Sequence, residues 1–250
     1  MGSPTVTRRE ASPPVARYVR VSSMAYRKPF GIGEFYHCYN RGVDKRRIFQ
    51  QKKDYERFLS LLYICNGTKS VQISDRNDTS LYSILMNNSI DRGKSLTNIV
   101  AYALMPNHIH FVLKETDEKG IASFMQKVFT GYTMYFNRRY QRTGTLFAGP
   151  FKSRHIFDDR YLKQALPYVM LNPIELFEPK WKTGVRNIAA CERWLPTYAY
   201  SSLPDFLKQK RPEGKLLGTV PESLYDSKPS LHKMLTTAQE YYRERGGETL

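Results

Sequence analysis

The chain has 250 residues, a formal net charge of +16 and 41% hydrophobic residues: enough apolar material for one large domain, and an excess of cations that speaks of partners rather than fold. No apolar run is long enough to span a bilayer, and the basic opening stretch has neither a signal-like apolar region nor a hydrophobic anchor. Nucleic acid therefore leads over a membrane surface as the anionic partner, and a cytoplasmic, nucleoid-associated location is expected.

Residues 1–28, rich in Pro, Ser, Thr and Arg without periodicity, read as a flexible basic tail. The aromatic run from Glu34 to Arg41 predicts a strand. From Asp54 to Cys65, Tyr55, Phe58, Leu59, Leu61, Leu62 and Tyr63 recur near helical spacing. Residues 66–97 are polar around a short apolar island at Tyr82–Met86 and read as a long loop or insertion, bounded at 67–97. Two strands follow, Asn98–Leu104 and His108–Lys114, joined by the tight Met105-Pro106-Asn107 connection. Ile121 to Tyr140 is a long helix with Phe124, Met125, Val128, Phe129, Tyr132, Tyr135 and Phe136 on its apolar face. Leu146–Ile156 is a basic strand, broken or bent near Gly149-Pro150. Asp158 caps a last helix running to Asn172, which Pro173 ends.

The first six elements follow a split βαβ pattern. The expected fold is therefore α+β: a ferredoxin-like antiparallel sheet with helices on one face, plus a further helix bearing tyrosine. One domain spans 29–205, followed by a partly helical extension at 206–250. Cys38, Cys65 and Cys191 are far apart and form no disulfide framework or C-x-x-C pair.

Three features carry chemistry. His108 and His110 are two apart on a strand, so both imidazoles share one face and can chelate a divalent ion, with an oxygen ligand still to be supplied. For a bare pair the alternative is two locally hydrogen-bonded histidines. Tyr168 and Asn172 are four apart on a helix and share a face. A phenol with its ordinary pKa of about 10 is a poor unaided nucleophile, and a metal on the scissile phosphate would make up the difference. Any one of 18 tyrosines is, by itself, an ordinary half-buried aromatic. From Arg138 to Arg154, Arg138, Arg139, Arg142, Lys152 and Arg154 can contact phosphates, while Tyr140, Phe147 and Phe151 can stack on unpaired bases; a solvated positive face is the alternative.

Met-Pro-Asn-His-Ile-His-Phe-Val-Leu at 105–113 closely resembles the HUH signature of single-tyrosine transposases, in particular the REP-associated tyrosine transposases. Tyr39-Asn40-Arg41-Gly42 with Ile48-Phe49 resembles that branch's first strand and its exit. Gly144 to Ser153 resembles its basic strand, and Tyr168-Val-Met-Leu-Asn-Pro173 its tyrosine helix. Tyr198 to Ser202 is similar to another recurring segment, so the resemblance spans about 34–205. It implies a metal-dependent endonuclease and strand transferase on single-stranded or hairpin DNA, using Mg²⁺ or Mn²⁺. His108, His110 and Asn172 then hold the metal, Tyr168 forms a 5′-phosphotyrosine link, and Arg41 joins the DNA contacts. A replication or conjugation nickase of the same fold, and a non-catalytic ferredoxin-like nucleic-acid-binding protein, are the alternatives. Monomer and homodimer are both compatible. Two departures stand out: the length of 67–97, and Pro167, which either kinks the tyrosine helix or starts a new one.

Overall fold

The computed structural model describes residues 29–71, 80–87, 90–219, 224–225, 227 and 229–244; the expected tail 1–28 lies outside them. Four strands form one sheet: β1 (Phe35–Arg41), β2 (Thr97–Met105), β3 (His108–Glu115) and β4 (Lys152–Ile156). Their order is β2-β3-β1-β4, with every neighbouring pair antiparallel. β3 is thus inserted between β1 and β2, and β1 between β3 and β4, which is the ferredoxin-like arrangement expected from the element order.

α1 (Lys52–Cys65) connects β1 to β2, and α3 (Gly120–Arg139) connects β3 to β4. Both bury their apolar stripes on one sheet face, where Phe58, Leu62, Phe124, Val128 and Tyr132 meet Cys38, Ile109 and Phe111. The two helices are pinned by Asp54, which is fully buried. Its Oδ2 accepts the backbone N–H groups of Gln50 (2.8 Å) and Gln51 (2.9 Å), closing the α1 N-terminus. The same carboxylate takes hydroxyl hydrogens from Tyr135 and Tyr140 at the far end of α3.

The described part of 67–97 is more than a passive loop. α2 (Leu81–Met86) buries Ile84 and Leu85 in this core, as does Ile90. Its stem is closed by Asn66, whose Oδ1 accepts from the N–H of Leu96 and of Thr97. The strand expected over 146–156 is shorter, because only 152–156 pairs as a ladder and Phe147 makes an isolated bridge to Gly42. Between them Gly149 turns the chain at φ +77°, a left-handed conformation open to glycine at no steric cost.

The other sheet face is covered as well. α4 (Asp159–Leu171) packs across it, with Val100, Ala101, Val112 and Ile156 below and Leu162, Ala165, Leu166 and Val169 above. Asp158 caps α4 through Tyr161 N–H at 2.7 Å. α4 runs through Pro167 without ending; the Lys163 carbonyl that a proline cannot serve takes a long hydrogen bond, 3.4 Å, from the Tyr225 hydroxyl. Short helices α5 (Ile174–Phe177), α6 (Ile188–Trp194) and α7 (Leu203–Phe206) lead to α8 (Leu231–Glu244), which lays Met234, Leu235, Ala238 and Tyr241 against α4. On the way the chain returns to the outer edge of β2. There Ala103 bridges Ser201, Tyr200 O accepts from Leu104 N–H, and Ser202 N–H donates to Tyr102 O.

Candidate active site

The antiparallel register decides what shares the face under α4. Residues directly opposite one another point the same way. Tyr39 lies opposite His110 and Lys152, Arg41 opposite His108, and His37 opposite Arg154. The histidine pair therefore looks toward α4, while Ile109 and Phe111 enter the opposite core. The pair is held by the turn before it: Gly42 N–H bonds Asn107 O at 2.8 Å, and Ile48 N–H bonds Pro106 O at 2.7 Å. Gly42 leaves no room for a side chain, since a Cβ there would stand 2.3 Å from Arg46 O.

His108 Nδ1 sits 2.7 Å from the Asn107 amide oxygen, an acceptor, so Nδ1 carries the proton and Nε2 keeps a lone pair. His110 Nδ1 sits 2.9 Å from His37 Nε2. The Nε2 of His110 is buried without a hydrogen-bond partner among the described residues. Asn172 ends α4 with its Nδ2 donating to Tyr168 O at 2.8 Å, and its Oδ1 is buried without a hydrogen-bond partner among the described residues. Buried polar atoms without a partner are unfavourable unless something satisfies them. An imidazole nitrogen and an amide oxygen are both groups that a divalent ion can accept as ligands. Among the described residues no three His, Cys, Asp or Glu side chains form a metal-holding group.

Burial pushes the His108 pKa down to about 4, against an opposing effect of Glu175 and aided by Lys182 and Arg41. His110 is lowered well below the usual range, by burial first and then by His108, His37 and Lys182. Both imidazoles are thus neutral at physiological pH, the state a metal needs. Tyr168 packs edge-on to His110 (5.9 Å between centroids) and His37 (5.7 Å). Tyr241 of α8 lies 4.8 Å from its ring, and the ammonium of Lys182 stands 5.6 Å from the ring centre. Tyr168 is only 5% exposed, and burial, then Glu175, raises its pKa while Arg154 lowers it.

His108, His110 and Tyr168 thus come together, with Asn172 hydrogen-bonded one helical turn beyond Tyr168. The six cations singled out from sequence do not: they divide between two places. Arg41, Lys152 and Arg154 lie on the histidine face of the sheet. Arg138, Arg139 and Arg142 lie at the end of α3, on the opposite side. Arg139 is taken up by Asp54 and Gln51. Arg142 lines a cleft of about 370 Å³ with Arg46, Arg47, Gln50 and Phe136. Sequence reasoning missed Arg46 and Arg47, whose signal was a basic triplet with Lys45, and it missed His37, Lys182 and Tyr241. The available signal for His37 was a histidine in an apolar strand, two before Tyr39.

The protein family described as Transposase IS200 like matches residues 36–169, more than half the chain. No curated protein matches. A solved structure described as the REP-associated tyrosine transposase bound to a REP hairpin is 12% identical, covering 75% of this chain and 88% of that one with a TM-score of 0.47.

Proposed function

The chain belongs to the IS200-like transposases, a family of DNA-processing enzymes, and from that premise we propose that it is a metal-dependent endonuclease and strand transferase of the single-tyrosine kind, acting on single-stranded DNA that carries hairpins. One observation carries the reading. Two buried side-chain atoms without a hydrogen-bond partner among the described residues, His110 Nε2 and Asn172 Oδ1, flank Tyr168, the first on the imidazole beside its ring and the second one helical turn further along α4.

In this reading His108, His110 and Asn172 hold Mg²⁺ or Mn²⁺. A bound ion would polarise the scissile phosphate and neutralise its developing charge. Tyr168 Oη bonds to phosphorus as the P–O3′ bond breaks, giving a 5′-phosphotyrosine and a free 3′-hydroxyl. The departing oxygen takes up one proton and the phenol gives one up. Arg154 favours the phenolate. Arg41 and Lys152 lie on the same face, positioned to lead the backbone toward the histidines, and exclusion of water strengthens each of these interactions. REP-type hairpins are the proposed substrate class, in keeping with the signature segments.

The test is covalent trapping. Wild-type protein, a hairpin-bearing single strand and Mn²⁺ should give a detergent-resistant protein–DNA band that peptide mapping places on Tyr168. Tyr168→Phe should lose the band and keep DNA binding. Tyr132→Phe, which removes a core hydrogen bond to Ile48 O, and Tyr135→Phe should keep it. An adduct on another tyrosine overturns the assignment, and cleavage without any adduct makes water the nucleophile.

A further inference from the structure

His110 can bind a metal through Nε2 only if its single proton sits on Nδ1. What decides that is the atom facing Nδ1, and here it belongs to another histidine. His37 Nε2 lies 2.9 Å from His110 Nδ1, and His37 Nδ1 lies 3.3 Å from the Tyr241 hydroxyl. The three groups come from β1, β3 and α8 and are at most 4% exposed, so bulk water does not compete for these bonds. The two imidazoles lie nearly parallel, 5.2 Å apart at 19°, and His37 also meets the Tyr168 ring edge-on.

We infer that His37 is a positioning residue: by accepting from His110 Nδ1–H it keeps the Nε2 lone pair of His110 free and aimed at the metal. A neutral imidazole has one donor and one acceptor nitrogen. The chain Tyr241–His37–His110 therefore has two self-consistent proton arrangements. In one, His110 Nδ1–H donates to His37 Nε2, and His37 Nδ1–H donates to the Tyr241 oxygen. In the other, every proton is shifted one place: the Tyr241 hydroxyl donates to His37, His37 donates to His110 Nδ1, and His110 carries its proton on Nε2. Only the first arrangement leaves a ligand atom. Metal ligands are commonly oriented in this way by an acceptor behind the ring, and removing such an acceptor weakens metal affinity about 10–100-fold. The acceptor here is an imidazole that the C-terminal helix itself holds. The shape of the metal site thus depends on a residue 204 positions away from His37 in the chain.

The inference rests on the metal reading above, and its test separates the two. The full chain is stripped of metal and titrated with Mn²⁺ by calorimetry, as wild type, His37→Leu and His37→Gln. Thermal melting without metal reports the fold of each. The glutamine oxygen reaches the place of Nε2 and accepts, so His37→Gln should recover most of the affinity that His37→Leu loses, about 10–100-fold. Long-range ¹⁵N spectra of the five histidines provide a reading independent of activity: His110 should be protonated on Nδ1 in wild type and His37→Gln. If the melt shows that His37→Leu does not fold, His37→Asn, too short to reach Nδ1, takes its place with the same expectation. Wild-type affinity in the leucine or asparagine variant, or a proton on His110 Nε2 in wild type, overturns the inference and leaves the metal reading standing. A wild-type chain that takes up no Mn²⁺ overturns both.

Discussion

Asn172→Leu separates a metal ligand from a structural amide. Leucine places two methyl groups where asparagine has its amide nitrogen and oxygen. Removing Oδ1 relieves a buried acceptor that has no partner among the described residues, worth about 1–3 kcal/mol. Removing Nδ2 takes a donor from Tyr168 O, at a cost of about the same size. The two effects nearly cancel, so the metal-free variant should melt within roughly 2–4 °C of wild type, the shift that 1 kcal/mol produces in a chain of this length. Metal changes the comparison. At a Mn²⁺ concentration 100 times its dissociation constant, wild type gains about 2.7 kcal/mol, or roughly 5–10 °C. A site weakened 100-fold gains only about 0.4 kcal/mol at the same concentration, roughly 1 °C. Paired thermal melts in chelator and in Mn²⁺ read all four values. A full Mn²⁺ shift in the variant would refute the ligand role, and a loss above about 3 kcal/mol in chelator would show that the amide serves the fold instead.

Two further outcomes follow from charge. If the cleft of Arg46, Arg47 and Arg142 carries DNA backbone, Arg46→Ala with Arg47→Ala should flatten the salt dependence of single-strand binding by about 0.7 per lost phosphate contact; anisotropy titrations across salt measure it, and an unchanged slope removes the cleft from the path. The folded-state pKa of His108, about 4, lies below its unfolded value of 6.5. The unfolded chain therefore binds the proton first as pH falls. In the metal-free protein His108's contribution should be complete above about pH 6.5 and fall away between there and pH 4, by about 3 kcal/mol, with His110 acting in the same direction. Urea midpoints across that window should drop more in wild type than in His108→Leu, and equal curves contradict the burial argument.

The sheet and its two crossing helices were legible because α1 and α3 carry strong 3.6-residue periodicity and β2 and β3 sit on either side of a Pro-Asn turn. His108 with His110, and Tyr168 with Asn172, were legible because each pair shares a face within one element. His37 and Tyr241 were not. Their bonds join residues 73 and 204 positions apart, and they exist only once β1 pairs with β3 in register and α8 folds back over α4. The division of the basic residues was hidden for the same reason. Lys152 and Arg154 are close to Arg142 in sequence, but the turn at Gly149 puts them on opposite sides of the sheet. Pro167 was read as a kink or a fresh start; α4 continues through it, and the Lys163 carbonyl meets the Tyr225 hydroxyl at 3.4 Å, a partner that no local pattern reveals.

The return of residues 200–202 to β2 bears on self-association. A sheet grows where an edge strand offers unpaired N–H and C=O groups, and at β2 that edge is already occupied by the protein's own chain. The remaining edge is β4, only five residues long, with Lys152, Arg154 and His155 along it. Two copies joined there antiparallel would bring these cations close together, and like charges in such a pairing repel. The sheet is thereby closed to strand-by-strand growth at one end by its own backbone and discouraged at the other by its charge. Assembly between copies is therefore favoured through helices and side chains over a shared ladder. The same residues that discourage a second copy leave β4 attractive to a polyanion.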